Sequence, residues 1–411
     1  MKTYNLINAN IITLYDKHPS ASSLIISNGK ILSINEVNNK YPSIDLKGAT
    51  IIPGFIDAHY HLKNYGKRLS QVNLKNINSK QEIIIRIKEK INTVDKDEWI
   101  LGFGWDQNLW NKKFFPTKDI LNNISPNNPI YLTRIDGHSA WVNNQAIKKL
   151  NLDYESLKNI PGGKIINDCI LIDNTMHPFK SIIPGDSESE IESWLKIAVK
   201  ETIKKGITGV HDAWQDSIVI STIKNLIEKN EFPLRCYGML AGSDKDLLKL
   251  FFQKGHYKDE YLSIRSVKAF IDGALGSRGA ALHKPYNDDK NNCGLILISP
   301  KEFKELAKLC IKSNFQLCTH AIGDKGNRMV LDIYSDVTKD NKNHRWRIEH
   351  AQHIDPEDIP RFGQLGVIAS MQGIHQCSDG PWVMLRLGEG RARSGAYVWQ
   401  DLMRAGAVVT N

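Results

Sequence analysis

The chain has 411 residues, 41% hydrophobic and 24% charged, with a formal net charge of +9, a composition ordinary for a soluble globular protein. No stretch approaches the roughly 18 apolar residues of a membrane span, and the first 14 residues, interrupted by Asn5, Asn8 and Asn10, lack the apolar core of a secretory signal. The lysines are scattered along amphipathic stretches (Lys196, Lys200, Lys204, Lys205), as on a solvated face rather than a nucleic-acid surface, and six cysteines without Cys-x-x-Cys spacing suggest reduced thiols in a cytoplasmic protein.

Residues 1–52 carry short apolar runs between polar turns, and Asn28-Gly29 between two such runs signals a hairpin. This reads as a small β domain with too few strands to close a core alone. Residues 53–411 read as a barrel. Within it, residues 65–185, with an amphipathic stretch at 81–94 and loops rich in Asn, Pro and Gly, read as an insertion.

From about residue 188 strands and helices alternate. Helices are expected at 189–205, 219–229, near 247, at 301–312, 327–337, near 356 and at 397–405. Strands are expected at 207–213, 234–240, 264–271, 316–320, 345–350, 367–371 and 407–411. With the apolar run that ends at His59 there are eight strands, which favours a closed (β/α)₈ barrel of the TIM type, an α/β fold. The sequence stops at Asn411, directly after the eighth expected strand. No lysine follows Lys342, for which no physical account is at hand.

Active sites on such barrels lie at the C-terminal ends of the strands. His59 and His61 flank Tyr60 at the first of these ends. Period-two alternation puts both imidazoles on one face, an arrangement suited to a divalent metal. His211 lies on the second strand, Lys268 and Asp272 on or just after the fourth, His320 on the fifth and His350 on the sixth. Lys268 stands inside the apolar run Ser266-Val267-Lys268-Ala269-Phe270-Ile271. A lysine there is costly unless it is paired or neutral. A neutral amine can add carbon dioxide and become a carbamate able to bridge two metal ions.

In chain order, residues 53–61, 136–143, 206–213, 267–278, 319–324 and 347–352 resemble the amidohydrolase superfamily, in particular the branch related to N-substituted formamide deformylase. The resemblance implies that His59 and His61 hold one metal and His320 and His350 another, with a carboxylated Lys268 between them as ligand and catalytic group. Zinc suits imidazole and oxygen donors, with iron, manganese or nickel as alternatives. It further implies hydrolysis of carbon–nitrogen bonds other than peptide bonds by a metal-activated hydroxide, with small N-substituted amides or formamides as substrates. His138, Trp141 and Arg278 are expected to bind substrate, and His211 and Asp212 to orient ligands. Trp105, Trp110 and His375 are candidates for shaping the pocket, with a structural role as the alternative.

The family's aspartate after the eighth strand has no counterpart before Asn411, so the sequence is expected to be a fragment with weak or no turnover. An inactive metal-binding protein, or a cyclic-amide hydrolase or deaminase on the same ligands, stays open as an alternative. So does a homo-oligomeric state.

Overall fold

A computed structural model describes residues 3–135, 137, 139–150, 152–160, 163–339 and 341–411. Its centre is a parallel sheet of β1 (Phe55–Tyr60), β2 (Ile207–Gln215), β3 (Arg235–Ala241), β4 (Leu262–Phe270), β5 (Gln316–Ala321), β6 (Arg347–His350), β7 (Ile368–Ser370) and β8 (Val409–Thr410), side by side in chain order. Every neighbouring pair is parallel. The Ala58 N–H donates to the Asn411 carbonyl at 3.3 Å, which brings the two sheet edges together into a nearly closed TIM-like barrel. All eight expected strands are present.

The helices that cover the barrel are α1 (Leu62–Ser70), α2 (Glu188–Ile203), α3 (Ser217–Glu228), α4 (Lys245–Lys254), α5 (Pro300–Lys312), α6 (Asp324–Thr338), α7 (Ile359–Leu365) and α8 (Trp399–Arg404). Their starts are written locally. Ser187 with Glu190 and Ser299 with Glu302 form capping boxes, and Pro300 occupies the first turn of α5, where its missing N–H costs nothing. In α2, Ile191, Leu195, Ala198, Val199 and Thr202 are buried, the three-and-four spacing of one helical face. That face packs with outward residues of the strands, among them Val210, Leu240, Ile264, Leu317 and Ile348, in one continuous core. Between β7 and β8 lie three short helices that the sequence did not suggest, Gly373–Asp379, Val383–Leu387 and Glu389–Gly395. Among the described residues no helix is long and apolar enough to cross a membrane.

The N-terminal residues form a four-stranded sheet (Lys30–Ile34, Leu24–Ser27, Thr3–Ile7, Ser43–Asp45) and a three-stranded one (Ser20–Ala21, Asn10–Ile12, Thr50–Ile51). Asn28 and Gly29 have φ of 52° and 74° and join two antiparallel strands. Two positive φ angles are what a two-residue hairpin of the favoured twist requires.

The segment after α1 is more regular than its sequence suggests. It contains a six-stranded sheet, ordered Gly163–Ile166, Ile170–Asp173, Ser139–Val142, Ile130–Arg134, Ile100–Trp105 and Val72–Asn73. Alternation sends Leu132 and Trp141 to one face and Tyr131 and Val142 to the other, and each face has its own core. Short strands, two parallel pairings and an irregularity between Phe103 and Trp105 hide the period of two.

α1 lies very close to α2. A Cβ built on Gly66 would stand 1.9 Å from the Trp194 carbonyl oxygen, so the backbones must move apart to admit any side chain. Gly66→Ala is expected to cost about 1–3 kcal/mol, read as a lower denaturation midpoint. An unchanged midpoint would show that the two helices separate freely.

Candidate active site

The C-terminal ends of the strands bring together four imidazoles from distant parts of the chain. His59 lies near the end of β1 and His61 just beyond it. His320 is on β5, and His350 is the last residue of β6. Ring centroids are 5.2 Å apart for His59 and His61, and 4.6 Å for both His59–His350 and His320–His350. Register pairs Lys268 on β4 with Cys318 and His320 with Glu349. Lys268 is completely buried, and its charge acts on all four imidazoles.

Three buried polar atoms here have no hydrogen-bond partner: Lys268 Nζ, His59 Nε2 and His320 Nε2. Each such atom typically costs about 1–3 kcal/mol, so a group of them points to a shared occupant. Burial, followed by neighbouring positive charge, pulls His61 down to about 4 and His320 to about 3. His59 and His350 are lowered for the same first reason. All four are therefore neutral near pH 7, the form that offers a lone pair to a metal. Burial also lowers the Lys268 ammonium to about 8, against the opposing pull of Glu349, so a neutral amine is available in mildly alkaline solution.

Hydrogen bonds fix two of the rings. His59 Nδ1 donates to Glu349 Oε2 at 2.5 Å, which leaves Nε2 with the lone pair. His350 Nδ1 donates to Gln372 Oε1 at 2.6 Å, and Gln372 Nε2 donates to the Ser370 carbonyl at 3.0 Å. His350 and Ala351 have φ of 74° and 42°, backbone angles that residues with a side chain avoid. Asp272 accepts from the backbone N–H groups of Ile322, Gly323 and Ala281 at 2.8–2.9 Å and lies 3.5 Å from His320 Nε2. Burial outweighs those bonds and pushes its carboxyl up to about 7.

Beneath the histidines lies a residue pair that sequence reasoning did not single out. Arg347 is gripped by Glu349 through Nε (2.6 Å) and Nη2 (2.9 Å). It also donates to His211 Nδ1 (2.7 Å), the Ala58 carbonyl (2.6 Å) and Ser370 Oγ (2.7 Å). The available signal was Arg347-Ile348-Glu349, two opposite charges on one face of a buried strand. The attraction holds the Glu349 carboxyl far below the usual range, although burial alone would raise it.

The remaining expected residues are dispersed. His211 points toward Arg347 rather than toward the imidazole cluster. Asp212, one residue on, is fully buried and accepts from the Leu62 N–H (2.8 Å) and Gln215 Nε2 (3.0 Å). It thereby anchors the start of α1 directly after His61. Trp141, expected to line the pocket, is wholly buried. It packs 6.2 Å from Trp105 and 6.5 Å from Trp110, and its indole N–H donates to the Thr117 carbonyl. Arg278 is bound in a fork by Asp288 at 3.2 and 3.0 Å. His375 lies 5.6 Å from His350, ring to ring. His138 lies outside the described residues.

Among the described residues, no three His, Cys, Asp or Glu side chains are placed to hold a metal ion by themselves. The four imidazoles form one chain of ring contacts, His61–His59–His350–His320, with Lys268 as a further potential donor, and the unpartnered nitrogens among them fit a metal.

Comparison with known proteins gives a consistent pattern. A family model described as "Amidohydrolase family" matches residues 43–411. Protein LONG AFTER FAR-RED 3 of Arabidopsis thaliana is 32% identical over 98% of this chain and 73% of its own length. N-substituted formamide deformylase of Arthrobacter pascens is 23% identical over 89% of this chain and 72% of its own. The crystal structure of an uncharacterized metal-dependent hydrolase from Pyrococcus furiosus superposes with a TM-score of 0.82 at 26% identity, covering 100% of this chain and 85% of that one.

Two outcomes follow from the buried charges. Arg347→Met leaves Glu349 without its cation and should cost about 3–5 kcal/mol, whereas replacing both partners by Met should cost less. Denaturant melts of the two variants check this, and an equal loss in both would remove the pair from its role. Burial raises Asp212 from 3.8 to about 6, so the folded protein keeps a proton that the unfolded chain releases. Its contribution makes stability fall as pH rises from about 4 to about 6. In Asp212→Asn that component should vanish from the stability–pH curve.

Proposed function

The chain belongs to the amidohydrolase family, and from that premise we propose that it is a metal-dependent hydrolase of carbon–nitrogen bonds other than peptide bonds, acting on N-substituted amides or formamides. The carrying observation is the cluster of four neutral imidazoles around a buried, unpartnered lysine at the C-terminal ends of the strands. The name of the Arthrobacter pascens relative supports the substrate class, and the description of the Pyrococcus furiosus structure supports metal dependence.

On this reading His59 and His61 would hold one ion and His320 and His350 a second, with Lys268 as a ligand shared by both. Its neutral amine would add to carbon dioxide: the N–C bond forms as one C–O π bond opens, the nitrogen's proton passes to solvent water, and the resulting carbamate offers two oxygens with one negative charge. A bound divalent ion, zinc being suited to these donors, supplies an acidified water and a Lewis acid for the substrate carbonyl. Glu349 sets the His59 ring by taking its Nδ1 proton in a hydrogen bond, and Gln372 does the same for His350. Asp212 steadies the backbone that follows His61.

Metal analysis of the purified protein, together with amine release from a panel of N-substituted formamides, tests the reading. Native protein should retain zinc, and it should bind at least one of the amides and hydrolyse it, even if slowly. His59→Ala, His320→Ala and Lys268→Met should lose metal and activity together, and Glu349→Gln should weaken metal binding by about 10–100-fold. Native-level metal in His59→Ala and His320→Ala would overturn the ligand assignment. A metal-loaded native protein that neither binds nor hydrolyses any member of the panel would overturn the substrate class.

A further inference from the structure

The other end of the barrel holds a cavity that the proposed hydrolase chemistry does not use. The N-terminal ends of β4 to β8 surround a space of about 420 Å³. Arg265 of β4 and Arg345, two residues before β6, stand at its rim, with Arg347 and His211 deeper in. Among the described residues no Asp or Glu lines it. Arg265 and Arg345 are exposed, and neither pairs with an acid among the described residues. The strands that carry them are separated by β5 alone, roughly 10 Å at the usual strand spacing, a gap that two arginine side chains can span around one oxyanion.

The surroundings favour a negative guest. His211 Nδ1 accepts from Arg347, and burial with the Arg347 charge pulls this histidine down to about 4. The ring is therefore neutral, and its remaining N–H, at Nε2, is a donor with no hydrogen-bond partner among the described residues. Tyr237 donates its hydroxyl to Gln316 Oε1, and the Gln316 amide donates to the Arg345 carbonyl. That bond helps hold Arg345 at a φ of 56°, an angle unusual for an arginine. Phe315, Ile368 and Val408 supply apolar wall.

We propose that this cavity binds a small organic anion, a carboxylate or phosphate monoester, with its oxyanion between Arg265 and Arg345 and its body against the apolar wall. A guanidinium pair suits either head group, because both present oxygens in the geometry of its fork.

Calorimetric titration at low salt tests the site. The full chain is first treated with chelator, so that no metal at the histidine end competes for the anion, and is titrated with phenyl phosphate, benzoate and inorganic phosphate. Phenyl phosphate or benzoate should bind more tightly than inorganic phosphate. Which of the two binds identifies the head group. Arg265→Gln and Arg345→Gln should each weaken binding about tenfold, while Arg68→Gln, in a separate basic cavity, should leave it unchanged. Both rim arginines are exposed, so unchanged melting curves are expected to separate lost binding from lost fold. Failure of all three probes to bind, native affinity in both rim variants, or an equal loss in Arg68→Gln would overturn the proposal. Inorganic phosphate binding as tightly as the organic probes would overturn the part played by the apolar wall.

Discussion

One guanidinium ties the barrel interior together. Arg347 reaches the Ala58 carbonyl on β1, His211 on β2, Glu349 on its own β6 and Ser370 on β7. A buried charge is tolerable only when it is paired and hydrogen-bonded, and here five hydrogen bonds to four strands engage all three guanidinium nitrogens. The arrangement specifies which strand ends must stand next to one another more than it adds stability, since an apolar filling of equal volume could serve stability as well. Its second effect is chemical, because the carboxylate that it holds ionised is the one that orients His59.

The two ends of the barrel are therefore one electrostatic object. Arg347 lies between the basic cavity and Glu349, and Glu349 lies between Arg347 and the imidazoles. The imidazoles at the histidine end are neutral and short of hydrogen-bond partners, whereas the opposite end is rich in unused donors. A scaffold that already contains a charged, hydrogen-bonded centre can carry two such different surfaces without rearranging its core, because neither must neutralise the other.

Most of the barrel could be read from the chain because each strand is an apolar run that ends at a polar residue, and each long helix has a visible start such as Ser187 or Ser299. His59 and His61 announced a shared face through spacing alone. Elsewhere the structure holds arrangements that the chain does not announce, for physical reasons. The six-stranded sheet pairs short strands across long intervals, so no local period shows it. Trp141 sits where a pocket residue was expected but belongs to a cluster with Trp105 and Trp110, and burial of that kind is a tertiary fact. The bond from His59 to Glu349 spans 290 residues, and nothing local to either residue records it. The pairing of Arg278 with Asp288, ten residues away on an irregular stretch, likewise leaves no local signal.

The left-handed backbone at His350 and Ala351 makes this corner a point of conflict for protein engineers. Two adjacent residues in such angles hold roughly 1–3 kcal/mol each, and Ala351 is completely buried, so it cannot relax by swinging outward. A library screened for heat tolerance alone would drift toward glycine at 351, because glycine adopts that conformation freely. The winners would melt later while loosening the imidazole that the kink aims, so heat tolerance is a poor proxy for function at this corner.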